Sequence, residues 1–215
     1  MKIFLNSYYP ITATPFGRAA AKQFDIHPLE DGSIRREPDL THVKPCISGL
    51  CRPRSMKDIK LEVGDIMIYK TNGSHQLAAI LEVEHFFETH KDAADYFANH
   101  NLPVPSNNIT RDPLPLEMSH IKDFQHAANG SDRLKERVLQ TWDADYQDRG
   151  SKPGNTYFIM TRSIYNAVYD RIPLSDIIKI GDLLRRHFTS VPNTSWRPQL
   201  LNDDFYRDLL SITKG

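Results

Sequence analysis

Apolar and polar residues alternate in short runs punctuated by glycine and proline, a pattern of strands and short helices rather than a long bundle. Lys2 to Ser7 predicts a first strand, which Tyr8-Tyr9-Pro10 ends because proline brings no donor to a ladder and restricts the residue before it. Val63-Gly64-Asp65 reads as a turn that launches a second strand, Ile66 to Lys70. Asn72-Gly73 then predicts a hairpin of type I′, in which both central residues need φ > 0. The return strand, Leu77 to Val83, is apolar enough to be central. A further apolar strand spans Thr156 to Thr161, and Ser163 to Asp170 either continues it or opens a turn before Ile172-Pro173 stops it.

Helical spacing is confined to shorter stretches. Ala19 to Gln23 predicts one turn after a loop at Thr14-Pro15-Phe16-Gly17. Glu84 to Phe87 leads into a short helix over Thr89 to His100, with Thr89 as cap. Ser131 to Tyr146 places Leu134, Val138, Leu139 and Trp142 on one face, and Asp203 to Ile212 turns Phe205, Leu209, Leu210 and Ile212 inward. Leu174 to His187 is mixed in character because Gly181 weakens a helix there. Between these lie a connection from Asn101 to Glu117 with four prolines and a linker over Asp148 to Asn155. The sum is one α+β domain over residues 1–215, built on a small curved sheet with peripheral helices and carrying a helical and loop insertion at about 89–155.

Charge sharpens this picture. Basic and acidic residues balance at 27 each, so bulk charge does not draw the molecule to nucleic acid and any such contact uses a local patch. The pronounced basic patch is Lys44 to Lys60, where Lys44, Arg52, Arg54, Lys57 and Lys60 face one acid, Asp58. With two cysteines, Cys46 and Cys51, and an apolar start too short for a signal peptide or a membrane span, the expectation is a cytoplasmic protein without a disulfide framework or membrane partner.

Candidate chemistry follows from residue types. His42, Cys46 and Cys51 are spaced four and five apart, but zinc requires three or four ligands and no further partner has matching spacing, so no metal and no cofactor are expected. Cys51 lies beside Arg52 and Arg54, which would favour its thiolate, yet no histidine and acid can be assigned to it. Asp65 reads as a turn residue rather than a general base. Phosphate loops, dinucleotide fingerprints and nucleophile elbows are absent from the sequence. Aromatics at Tyr8, Tyr9, Phe16, Tyr69 and Trp196 adjoin the cations Arg18, Arg52, Arg54, Lys70 and Arg197, a combination suited to stacking a base and neutralising a phosphate.

The order of segments adds a further reading. Thr14-Pro15-Phe16-Gly17, then Lys44-Pro45 with Cys51-Arg52-Pro53-Arg54, then Val63 to Ile68, then Leu77 to Val83, and late in the chain Tyr157 to Arg162 before Ile172-Pro173, form a series. It resembles the nucleotide-modification-associated domain family, second type, and more widely the PUA, ASCH and EVE group. The chain departs from that family in a longer spacer over residues 19–43, in Ile66-Met67 where a tryptophan is expected, and in Tyr69-Lys70 at a glycine-rich strand end. The resemblance implies a PUA-like small β-barrel with peripheral helices that recognises a nucleotide or a modified base in nucleic acid. Carried over residue by residue, it points to Thr14, Pro15, Phe16 and Gly17 and to Cys51, Arg52, Pro53 and Arg54.

The expected function is therefore non-enzymatic recognition at a barrel mouth, with Tyr8, Tyr9, Thr14, Phe16, Arg18, Lys44, Cys51, Arg52, Arg54, Lys70, Trp196 and Arg197 as ligand-binding candidates and no catalytic residue. Two alternatives are an enzyme acting on a nucleotide or nucleobase through Cys51, Asp65 or a histidine, and a protein-interaction module of a phage-defence or DNA-modification system using residues 101–155.

Overall fold

The computed structural model describes residues 1–13, 15–23, 25–30, 38–48, 61–88, 90–103, 158–192, 194 and 198–213. The expected helix over Ser131 to Tyr146, the linker at 148–155 and most of the proline-rich connection lie outside them.

Six strands form one sheet: β1 (Ile3–Tyr8), β2 (Cys46–Ser48), β3 (Ile66–Thr71), β4 (Leu77–Phe87), β5 (Phe158–Asn166) and β6 (Gln199–Leu201). Their spatial order is β2-β5-β4-β3-β1-β6. β1 runs parallel to β3, and every other pairing is antiparallel. The described sheet is thus mixed and open, with β2 and β6 at its edges, where the sequence led us to expect closure into a barrel. A single 3-10 turn (Ile11–Ala13) and four helices, α1 (Pro15–Gln23), α2 (His90–Asn99), α3 (Gly181–His187) and α4 (Asp203–Thr213), complete the described elements. Among the described residues no helix is long and apolar enough to cross a membrane.

Side-chain alternation sorts the central strands onto two faces, and both are covered. Phe4, Tyr8, Met67, Tyr69, Ala79, Leu81 and Val83 form the first face, packed by Leu29, Leu40, Ile47, Leu61, Val168 and Ile177. Ile3, Leu5, Ile66, Ile68 and Ile80 form the second face, under Leu183 and Leu184 of α3 and Phe205 and Leu209 of α4. Phe205 and Leu209 lie one helical turn apart and are both fully buried. At about 1.5–3 kcal/mol for each such side chain, they outweigh intrinsic helix propensity in holding α4 to the sheet. The helix starts on Asn202, whose Oδ1 accepts the Phe205 N–H at 2.9 Å as an N-cap.

Local differences from the sequence expectation have physical causes. Pro15-Phe16-Gly17 is helical rather than looped: Pro15 opens α1, where its missing N–H costs nothing and its fixed φ suits the first helical position. β4 runs on through Phe87 because His85 to Phe87 pair with β5, with Glu84 skipped at a register shift between Val83 and His85. Asp65 is a turn residue, as its position after Gly64 implied: Gly64 has φ of +87°, and the buried Asp65 carboxylate accepts the N–H groups of Lys2 at 2.6 Å and Glu62 at 2.9 Å.

The β3–β4 hairpin is the largest departure. Positive φ falls at Gly73 (+80°) and His75 (+51°), while Asn72 is not among the residues with positive φ, so a type I′ turn over Asn72-Gly73 is ruled out. The connection is a longer loop, closed by Thr71 N–H to the Gln76 carbonyl at 2.9 Å and docked on β1 by Asn72 N–H to the Tyr8 carbonyl at 3.0 Å. Register shifts beside it, with Tyr69 opposite Ala79 and Lys70 opposite Leu77, leaving Ala78 as the extra residue of a bulge.

Candidate functional site

At the end of the sheet where β1 and β3 finish and β4 begins, polar side chains replace the apolar ones on both faces. On the second face the series Ile66, Ile68 is followed by Lys70, and Ile3, Leu5 by Ser7, with Ser7 and Lys70 opposite each other in the parallel register. Lys70 is 1% exposed and among the largest fully buried side chains. Its Nζ lies 3.4 Å from Nδ1 of His75, and among the described residues no carboxylate forms an ion pair with it. Removal from water holds the Lys70 ammonium down to a pKa of about 8. His75, half-buried, is also lowered, first by burial and then by the positive charges of Lys70 and Arg185. The Ser7 hydroxyl shares a hydrogen bond with the buried Thr194 hydroxyl.

On the first face, alternation places Asn6 between Phe4 and Tyr8 and opposite Tyr69 of β3. Asn6 is 3% exposed, and among the described residues its carboxamide nitrogen has no hydrogen-bond partner. Its neighbours are differently placed. The Tyr8 hydroxyl donates to the Leu29 carbonyl, and Asn166 Nδ2 donates to the Leu40 carbonyl at 2.9 Å while its Oδ1 accepts from Val168 and Tyr169.

Of the residues singled out from the sequence, Tyr8 and Lys70 reach this end of the sheet, on opposite faces. Tyr9 follows them and is exposed. Arg18 stands exposed on α1 and donates to the Thr12 carbonyl at 3.0 Å. Lys44 is not at this end: its Nζ contacts Glu84 at 2.6 Å, in a chain of ion pairs that continues through Arg162 to Glu82 on β4 and β5. Phe16 falls in α1 with its side chain outside the described set. Thr14, Cys51, Arg52, Pro53, Arg54, Trp196 and Arg197 also lie outside the described residues.

The cysteine and histidine of the basic segment have structural partners. Cys46 is buried, its thiol donates to the Lys44 carbonyl at 3.4 Å, and burial, then the charge of Asp39, push its pKa well above the usual thiol range. His42 Nδ1 accepts the Lys44 N–H at 2.9 Å and Nε2 donates to the Pro103 carbonyl at 2.6 Å, which leaves no ring nitrogen for a metal. No group of three metal-ligating side chains converges among the described residues.

Asn6, Ser7, His75 and Thr194 were not singled out from sequence. Asn6 carried a readable signal, a polar residue at an inward position of an apolar strand. His75 carried none, because its placement depends on the form of the turn. Comparison with protein-family models, with characterised proteins and with solved structures finds no match to this chain.

Proposed function

We propose that this chain is a PUA-like reader that binds a nucleotide, or a modified base in nucleic acid, and does not turn it over. The observation that supports this reading is the Asn6 carboxamide. A buried donor without a partner among the described residues costs about 1–3 kcal/mol, and a ligand acceptor that completes it recovers that cost. A base edge supplies the acceptor, since ring nitrogens and exocyclic oxygens are what an asparagine amide reads.

The test is a binding panel of nucleosides, nucleotides, and plain and modified DNA and RNA oligonucleotides at low salt, with wild type and Asn6→Leu. The expected result is a preferred base whose affinity falls about tenfold or more in Asn6→Leu. Absence of binding to every member of the panel overturns the proposal.

A further inference from the structure

The second face carries its own group of features that the reading of a base leaves unused. Lys70 is a buried cation that has no carboxylate partner among the described residues, and a buried ammonium is ordinarily paired or neutralised. Its recorded polar neighbour is a nitrogen, Nδ1 of His75, at a distance long for a hydrogen bond.

The backbone around this pair is specialised. His75 holds φ of +51°, a left-handed conformation uncommon outside glycine, and such outliers cluster at ligand clamps. The bulge at Ala78 falls between the pairs Tyr69–Ala79 and Lys70–Leu77, beside Lys70, where an extra residue re-aims side chains. The His75 ring is seated against Gly181: a Cβ there would lie 3.2 Å from Cδ2 of His75. The His75 carbonyl accepts the Ile180 N–H at 3.0 Å, fixing the loop to the start of α3. Arg185 on α3 adds a second cation beside His75, its guanidinium 3.6 Å from the same Gly181 Cβ position, with Asp182 as its exposed partner at 2.6 Å.

Burial steps outward through these three groups: Lys70 is buried, His75 half-buried and Arg185 exposed. When Nδ1 accepts from Lys70, the ring proton resides on Nε2, and the ring presents a donor. Three donors of positive or neutral charge thus meet one acid at their rim.

We propose that Lys70, His75 and Arg185 form a subsite for a phosphate-type oxyanion, either free phosphate or the phosphate of a nucleotide. It lies on the opposite face of the sheet from Asn6 and stands whether or not a base is read there. The oxyanion supplies the counter-charge that no described residue gives Lys70, and Nε2 of His75 and the Arg185 guanidinium complete its hydrogen bonds.

The experiment is thermal unfolding of the full chain with inorganic phosphate, against chloride at equal ionic strength, for wild type, Lys70→Met and His75→Asn. Asparagine tolerates the left-handed conformation, so His75→Asn keeps the turn if Lys70→Met does not fold. Phosphate is expected to raise the wild-type Tm by several degrees, with the shift at least halved in His75→Asn and lost in Lys70→Met. Adenosine and adenosine monophosphate are run in parallel. A larger shift with the monophosphate than with phosphate assigns the anion to a nucleotide, and a larger shift with phosphate assigns it to the free ion. No shift with either anion, or equal shifts in wild type and His75→Asn, overturns the proposal. Loss of the Asn6-dependent base preference alone leaves it standing.

Discussion

The carboxylate of Asp65 holds the backbone N–H of Lys2 at 2.6 Å, tying the entry of β1 to the entry of β3 across 63 residues. Its second oxygen takes the Glu62 N–H at 2.9 Å, so one side chain closes a turn and sets a strand register. Replacing Asp65 with alanine leaves both donors without this partner. The expected cost is about 2–3 kcal/mol, with a smaller loss for Asp65→Asn, which keeps one carbonyl oxygen. Urea unfolding at constant m-value checks this.

Lys70 makes stability depend on pH in a direction opposite to that of a paired base. Its folded pKa of about 8 lies below the ordinary lysine value, so between these two values the unfolded chain binds more protons and stability rises with pH. The rise begins near pH 8, and a shift of this size corresponds to roughly 3 kcal/mol over the whole window. Tyr165 and Tyr206, whose pKa values burial raises, act in the opposite sense above about pH 10. Denaturant midpoints between pH 7.5 and 9.5 are therefore expected to climb in wild type relative to Lys70→Met, in which the buried Cys46 thiol, held protonated in the fold, makes them fall above about pH 9. Equal slopes in the two proteins would contradict the assignment.

Cys46 is expected to resist modification in the folded protein. Its thiol is buried, donates to the Lys44 carbonyl and is held in the neutral form, whereas the thiolate is the reactive species. Brief treatment with iodoacetamide followed by peptide mapping should leave Cys46 unlabelled until denaturant is added.

Tyr8 was a ligand candidate on the basis of its ring and its neighbours, and its hydroxyl now has a partner within the chain. Tyr8→Phe leaves the Leu29 carbonyl without that donor and is expected to lower stability by about 1–2 kcal/mol. Base affinity in the panel should change less than twofold, since the ring is kept. A large loss of affinity without loss of stability would return the hydroxyl to the ligand.

What could be read from the sequence was whatever depends on local pattern. The apolar runs at Ile66 and Leu77, the Gly64-Asp65 turn and the amphipathic spacing of Phe205 and Leu209 all became the elements they implied, because burial on one or two faces dictates their periodicity. The form of the hairpin was not readable, since Asn72-Gly73 favours a two-residue turn and the observed loop is set by docking on Tyr8 and Ile180. Lys44 looked like a free basic residue because Glu84 and Arg162 are remote in sequence and adjacent only across β4 and β5. The barrel was inferred from resemblance, and strand closure is a property of tilt and pairing that short motifs do not encode. In the sequence Lys70 reads as a ligand-binding cation beside the aromatic Tyr69, while the alternation Ile66, Ile68, Lys70 points it inward.

The position of β1 between β3 and β6 has a consequence for the order in which the fold is completed. Ile3 must find Ile66 on one side and Leu201 on the other, so this strand is synthesised long before either mate. At about 5–20 residues per second, the second mate follows roughly 10–40 s after the first strand emerges. Throughout that interval a run of Ile3, Phe4 and Leu5 has an unsatisfied edge, the feature that templates association between nascent chains. Assembly of the sheet is accordingly a late, non-local event, and a chain shortened before Gln199 would carry the same exposed edge permanently.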